Sequence, residues 1–320
     1  KKGLVVFLGG DQFWSVLLSS RLNYKHLTYA EWIARWPRWN DSIAAMSEKV
    51  RNQIPKSHRR KCKVVGDLMA DLPALARSSN PLPEGEWIAL MPGSKKAKLS
   101  VGIPFLLEVA DRIAKIKPNY KFLLPIASTT NINEIIYFAS PKNHIAKTYK
   151  ASISEILIKN KKEKFNKIIT NAGTEIHLQE NQPCYQELSQ CKLALTTIGA
   201  NTSELGAIGV PMIVIIPTQH LSVMQAWDGL FGLIARLPGF NWFLGLLLSA
   251  WRLRKNSFLA WPNISAERLI VPERIGIISP KEIANEAIDW ISSPGRLQGQ
   301  KEDLMNLRGE TGAIEKLSEQ

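Results

Sequence analysis

The strongest constraint on what this 320-residue chain can fold into is a rhythm that begins near residue 87. Short apolar runs alternate there with stretches of helical periodicity. Residues 87–91 (WIALM) form a run of strand length, Pro92-Gly93-Ser94 a turn, and residues 101–116 a helix. Within that helix Leu106, Val109, Ala110, Ile113 and Ala114 recur at helical spacing and give it one buried face. Lys117-Pro118-Asn119 stops it, and residues 120–126 read as the next strand. The alternation returns in strands 167–170, 175–178, 193–197 and 211–216, with helices through 185–188 and from Ser203. Strands alternating with helices predict an α/β fold: a parallel sheet covered on both faces.

The region before it reads differently. Residues 4–8 form a strand leading into Gly9-Gly10, and Asp11 and Gln12 interrupt the apolar stretch too early for a signal peptide. A chain opening on a core strand suggests a fragment. Segment 51–63 is polar and basic, as expected of a surface connection. Segment 73–86 carries three prolines, which remove backbone donors and stiffen a linker. The expected division is therefore residues 1–78, a partial Rossmann-like domain, and 79–320, a second one ending in helices. A formal charge of +13 favours phosphates or an anionic membrane surface. Nucleic acid, which the charge alone would also suit, is not expected as a partner, since no nucleic-acid fold signature accompanies the charge. Eight of the lysines lie in 142–167, against two glutamates, and suit a solvated face. Three cysteines without a CxxC pair fit a reducing cytosol and no metal.

In open α/β sheets, ligands gather at the carboxyl ends of the strands, where helix N-termini point free N–H groups outward. Two turns suit that role. In the first, Gly93 permits close backbone approach, Ser94 donates or caps, and Lys95 and Lys96 neutralise a phosphate. In the second, Gly199 lets the chain turn sharply. Thr202 and Ser203 then reach phosphate oxygens from a helix whose first turn carries Glu204. Each turn has a plain alternative, a capped βα-turn whose polar side chains serve only the backbone.

These segments, taken in order, resemble the lipid-A-disaccharide synthase family. The segment GANTSELGAIGVPMIVI resembles the family's glycine-threonine turn, helical glutamate and Gly-Val-Pro-Met strand entry. Residues 262–273, PNISAERLIVPE, resemble its proline-asparagine, arginine and valine-proline-glutamate signature. Residues 90–95 resemble its Leu-Pro-Gly-Ser-Arg turn with lysine for arginine, and 65–71 fit the family's Val-Gly-His-Pro stretch poorly at Asp67. The resemblance implies a GT-B-like fold of two Rossmann-like domains facing a cleft, the N-terminal one incomplete and on the acceptor side. It implies a UDP site lined by Gly199, Thr202, Glu204, Asn263, Arg268 and Glu273. On their own chemistry, Asn263 would bond a sugar or base, Arg268 offers a planar fork to a diphosphate, and Glu273 would accept from ribose hydroxyls. The plain alternative is a surface loop in which Arg268 pairs with a neighbouring glutamate.

Between these motifs, a segment at about 227–258 is rich in leucine and tryptophan. Its longest apolar stretch is too short to cross a membrane and is bounded by Arg236, Arg252, Arg254 and Lys255. That composition suits an interfacial insertion, with a buried helical hairpin as the alternative. Transfer from a UDP-sugar further requires a base. The family's Asp-x-Pro-Asp-Phe stretch matches Gly9-Gly10-Asp11-Gln12-Phe13, with Gln12 at the aspartate position and Asp11 one residue away. Asp11 is thus either the catalytic base or an Asx turn before the helix from Phe13. The family's Gly-Glu-x-Ser-Gly-Asp motif has no counterpart, and residues 29–36 suit either acceptor contact or an amphipathic core helix.

The reading is an inverting transferase that needs no metal or cofactor. It would move an acylated glucosamine or related sugar from UDP to a lipid-linked acceptor, at the cytoplasmic face of the inner (plasma) membrane. The alternatives are a silent UDP-sugar- or lipid-binding homologue and a UDP-sugar epimerase.

Overall fold

The computed structural model describes residues 2–9, 12–76, 81–149, 153–157, 164–220 and 258–320. The chain forms two compact units: Lys1–Leu75 with Arg308–Gln320, and Ala76–Leu307.

In the first unit, β1 (Leu4–Phe7), β2 (Lys25–Ala30), β3 (Ser42–Ala45) and β4 (Cys62–Val64) make a parallel sheet in that order. Helix α1 (Phe13–Arg21) connects β1 to β2, and α2 (Glu48–Gln53) follows β3. Side chains on β2 and β3 are buried on both faces. Ala30, Ile43 and Ala45 pack with Val50, Ile54 and Cys62, while Leu27, Tyr29 and Ala44 pack with Val65 and Leu317. Burial on both faces is what a parallel sheet demands. Segment 51–63 is therefore more than a surface connection. It completes α2, makes a 3₁₀ turn at Lys56–Lys61 and enters β4, anchored by its few apolar residues, Ile54 and Cys62. Residues 31–39 form no helix; β2 stops at Ala30, Trp36 sits at φ +53°, and Trp32, Ile33, Trp36 and Trp39 are exposed.

The end of the chain, expected in the second domain, packs on the first unit. After α3 (Leu72–Leu75) is introduced by a 3₁₀ turn, the Asp71 carboxylate accepts from Gly312 N at 2.6 Å and Ile314 N at 2.9 Å. It thereby satisfies the first free N–H groups of the helix Ala313–Ser318.

Among the described residues the second unit holds eight strands: β5 (Glu86–Met91), β6 (Tyr120–Pro125), β7 (Ile153–Leu157), β8 (Asn166–Thr170), β9 (Glu175–Gln179), β10 (Leu193–Thr196), β11 (Met212–Pro217) and β12 (Glu273–Gly276). Their order is β12-β11-β10-β5-β6-β9-β8-β7. The first six are parallel to one another, but β9, β8 and β7 run antiparallel in turn. This departs from a wholly parallel sheet for a geometric reason. Only a tight turn, with Gly173 at φ +87°, links β8 to β9, and a parallel crossover needs a dozen residues or more.

Helix α4 (Lys96–Ile116) covers the centre of this sheet, burying Leu99, Ile103, Leu106, Leu107, Val109, Ala110 and Ile113. It contains Pro104, whose missing N–H leaves the carbonyl of Ser100 without its helical donor. The buried Asn143 supplies one: its Nδ2 donates to Ser100 O at 2.7 Å and to Phe138 O at 2.9 Å. That bond ties α4 to the link between α5 (Ile132–Ala139) and α6 (His144–Tyr149). The remaining connections are α7 (Tyr185–Leu188), α8 (Ala200–Ala207) and the helices Trp261–Ala266, Pro280–Ile291 and Pro294–Asn306. Among the described residues no helix is long and apolar enough to cross a membrane. The expected interfacial insertion at about 227–258 lies, but for its last residue, outside them.

Candidate nucleotide-sugar site

Strands β10, β5 and β6 end side by side while β11 runs three residues further, and their register sets the level of the turns that follow. Met91 lies opposite Thr196, so the Pro92-Gly93-Ser94 and Thr197-Ile198-Gly199 turns leave the sheet together. Gly93 (φ +98°) and Gly199 (φ +142°) occupy backbone conformations that L side chains rarely adopt. At Gly93 space is also short. A Cβ there would stand 2.9 Å from Lys98 Cδ and 3.2 Å from Thr197 Oγ1. Behind the turn Gly102 lets α4 approach closely, since a Cβ on it would meet Pro92 Cβ at 2.8 Å.

Three basic residues follow Gly93, with different fates. Lys95 is exposed at the N-cap of α4, and Ser94 is exposed beside it, its carbonyl accepting from Thr130 Oγ1 at 3.3 Å. Lys96 pairs with Glu134 at 2.7 Å. Lys98, which the sequence reading did not single out, lies between the two turns. Its ammonium donates to Ile198 O at 2.8 Å. Burial, and then the neighbouring Lys95, hold its pKa below the ordinary lysine value. The available signal was position: Lys98 follows Lys95 by three residues, about one turn of the helix.

Helix α8 opens at Ala200, three residues earlier than expected, with Gly199 as an N-cap that offers no side-chain bond. Its first N–H groups therefore lack a capping side chain and suit an anion. The hydroxyls of Thr197 and Ser203 are both buried and without a hydrogen-bond partner among the described residues. Thr202 differs. Its hydroxyl donates to Gly199 O at 2.9 Å and accepts from Trp261 N at 3.2 Å, tying α8 to the helix Trp261–Ala266. Glu204 lies beyond the first turn, half-buried and bonded by the Tyr185 hydroxyl. Burial raises the Glu204 pKa, and burial together with the Glu204 charge pushes Tyr185 up to about 12.

The 262–273 motif builds a frame. Asn263 is fully buried and its side chain is saturated. Oδ1 accepts from Ile270 N (2.7 Å) and Val271 N (2.8 Å), and Nδ2 donates to Val271 O and Glu273 Oε1, both at 2.8 Å. An amide has two donors and two acceptor lone pairs, so nothing remains for a sugar or base. Glu273 Oε1 accepts from Leu259 N and Ala260 N at 3.0 and 2.9 Å as well as from Asn263, and its Oε2 takes Leu259 N, at 3.2 Å. Arg268 is exposed and pairs with Asp303 at 2.6 Å.

Asp11 lies outside the described residues. Its neighbour Gln12 is buried, and its Nε2 donates to Asn40 Oδ1 at 2.9 Å, an oxygen also 2.8 Å from His26 Nδ1.

No family model matches the chain. Among curated proteins it is similar to the lipid-A-disaccharide synthase of Sulfurihydrogenibium sp. (strain YO3AOP1), 24% identical over 238 residues, covering 72% of this chain and 49% of the relative. It is also similar to that of Syntrophus aciditrophicus (strain SB), 25% identical over 226 residues, covering 70% and 45%. The chain thus spans about half the length of the curated relatives it matches. Among solved structures it is similar to UDP-GlcNAc 2-epimerase from Neisseria meningitidis bound to UDP-GlcNAc, with a TM-score of 0.55, 12% identity, and coverage of 99% of this chain and 75% of that one. The S. aureus MnaA–UDP co-structure is similar at a TM-score of 0.54 and 11% identity, covering 98% and 73%. The chain carries a GT-B-type α/β fold and is similar in sequence, at 24–25% identity, to lipid-A-disaccharide synthases.

Proposed function

We propose that the chain is the nucleotide-sugar-binding part of a glycosyltransferase that moves an acylated glucosamine or related sugar from UDP to a lipid-linked acceptor in lipid A biosynthesis. The observation that supports it most is the pairing of two glycine turns at adjacent strand ends, with two buried hydroxyls that find no partner among the described residues and an α8 start that lacks a side-chain cap. Such an end favours a phosphate. Gly93, Ser94, Lys95, Gly199, Ser203 and Glu204 are proposed to line the donor site. Thr202, Asn263 and Glu273 frame it, and Arg268 would serve it only by leaving Asp303.

In the proposed reaction Asp11 takes the proton of the acceptor hydroxyl. That oxygen bonds to the anomeric carbon as the bond to the diphosphate breaks, which inverts the centre. Backbone N–H groups and lysines stabilise the charge on the departing diphosphate. The acceptor's lipid and a peripheral position on the cytoplasmic face of the inner membrane draw support from the first unit. Trp14, Trp32, Trp36 and Trp39 are exposed there, with Arg35 and Arg38 between them in sequence. Tryptophan with flanking arginine suits the headgroup level of anionic lipid.

Release of UDP from a UDP-sugar in the presence of lipid-linked acceptors tests the proposal. Absence of calorimetric UDP binding would sink it. A UDP-sugar epimerase suits the same fold, and donor sugar inverted at a ring carbon without any acceptor, read by NMR, would identify it.

A further inference from the structure

We propose that Lys98 and Thr197 form the contact for the donor's diphosphate, a positioning pair that no motif residue supplies; the inference rests on the UDP-sugar reading of this site. Lys98 spans both turns. Its stem covers Gly93, with Cβ and Cδ 3.3 and 2.9 Å from where a glycine Cβ would stand, and its Nζ lies 3.7 Å from the same point on Gly199. An ammonium has three donors, and among the described residues this one makes a single hydrogen bond, to Ile198 O.

The Thr197 hydroxyl faces the same space, 3.2 Å from the Gly93 Cβ point, and is 6% exposed with no partner among the described residues. A buried hydroxyl without a partner is disfavoured, and so is an ammonium partly withdrawn from water beside a second lysine. One anion with several acceptor oxygens resolves both. Burial acts in the same direction, lowering the Lys98 pKa as long as no anion is bound. A wholly structural Lys98, strapping one turn to the other, would explain the Ile198 bond but not the idle Thr197 hydroxyl.

The test is calorimetry on the full chain with UDP, uridine and inorganic pyrophosphate, for the parent and for Lys98→Met, Lys98→Arg and Thr197→Val. Methionine keeps the packing over Gly93 and removes the charge. Lys98→Met should weaken UDP and pyrophosphate by about tenfold or more, the usual worth of a charge-assisted hydrogen bond, and leave uridine unchanged. Thr197→Val should weaken both several-fold, and Lys98→Arg should retain most of the affinity. Equal loss of UDP and uridine in Lys98→Met, or UDP affinity equal to the parent's, overturns the proposal. Should thermal melts show Lys98→Met unfolded, Thr197→Val decides, and unchanged UDP affinity in it overturns the pair. A parent that binds pyrophosphate through Lys98 but neither UDP nor uridine refutes the UDP-sugar reading and leaves the anion contact standing. A parent that binds none of the three removes both.

Discussion

Asn263 and Glu273 hold each other: Asn263 Nδ2 donates to Glu273 Oε1 at 2.8 Å, while that same oxygen takes the N–H of Ala260 at 2.9 Å. The two most recognisable residues of the 262–273 motif thus fix the loop on which the helix Trp261–Ala266 begins. Asn263→Ala leaves two backbone N–H groups, a carbonyl and a carboxylate oxygen short of a partner. The expected loss is about 3 kcal/mol, within the range for a broken buried network. Urea unfolding measures it, and a loss below about 1 kcal/mol would contradict the saturated geometry.

Arg268 gives the opposite expectation. Its pair with Asp303 is exposed on both sides and screened by solvent. Arg268→Ala should therefore leave the unfolding midpoint unmoved. Any fall in UDP affinity in this variant would show that Arg268 leaves Asp303 for the ligand, and calorimetry in parallel with the melts decides.

Pro104 and Asn143 predict a coupled pair. Asn143→Ala strands Ser100 O and should cost about 1–3 kcal/mol. Pro104→Ala restores a backbone N–H in the position to serve that carbonyl, so Asn143→Ala should cost less in its presence. A double-mutant cycle with additive effects would show that the two are independent.

Gly93→Ala tests the turn itself. The residue sits at φ +98°, and the added methyl would stand 2.9 Å from Lys98 Cδ. Strain of about 1–3 kcal/mol is expected, together with displacement of Lys98 and weaker UDP binding. Gly173→Ala has a similarly positive φ, +87°, but open space around it, and so serves as the control that pays the strain without moving Lys98.

Glu204 makes stability depend on pH. Burial raises its folded pKa above the ordinary 4.5, so the folded state binds the proton more tightly than the unfolded one. Its contribution is then most favourable below 4.5 and declines as pH rises through the raised value. Glu204→Gln cannot ionise. The difference in stability, variant minus parent, should therefore grow from pH 4.5 upward and level off once Glu204 is ionised. Denaturant midpoints across that range measure it, and a flat difference would contradict the raised pKa.

The alternation of strands and helices in 87–216 was legible because both patterns are local: apolar runs of strand length and a 3.6-residue periodicity each appear within a short window. The glycine turns were legible for the same reason. What escaped the sequence depends on partners far along the chain. Asn263 and Glu273 carry the chemistry of ligand contacts, and only the fold reveals that Val271, Ala260 and Leu259 already use them. Lys98 carries no local mark of its place, which is set by Ile198 in the turn after β10. Segment 51–63 hid β4 because its two core residues, Ile54 and Cys62, sit among ten charged or polar side chains, and only Cys62 and Lys63 of it belong to that short outer strand.

The return of residues 308–320 to the first unit also has a consequence for how the chain is made. Synthesis is vectorial, and everything the second unit needs, residues 76–307, is present before its neighbour is complete. The first unit waits longer: Asp71 and the Leu27–Tyr29–Ala44 face stay without Gly312, Ile314 and Leu317 until residues 308–320 are made. A stop codon after Leu307 would therefore damage the unit of residues 1–75 and spare the unit of residues 76–307.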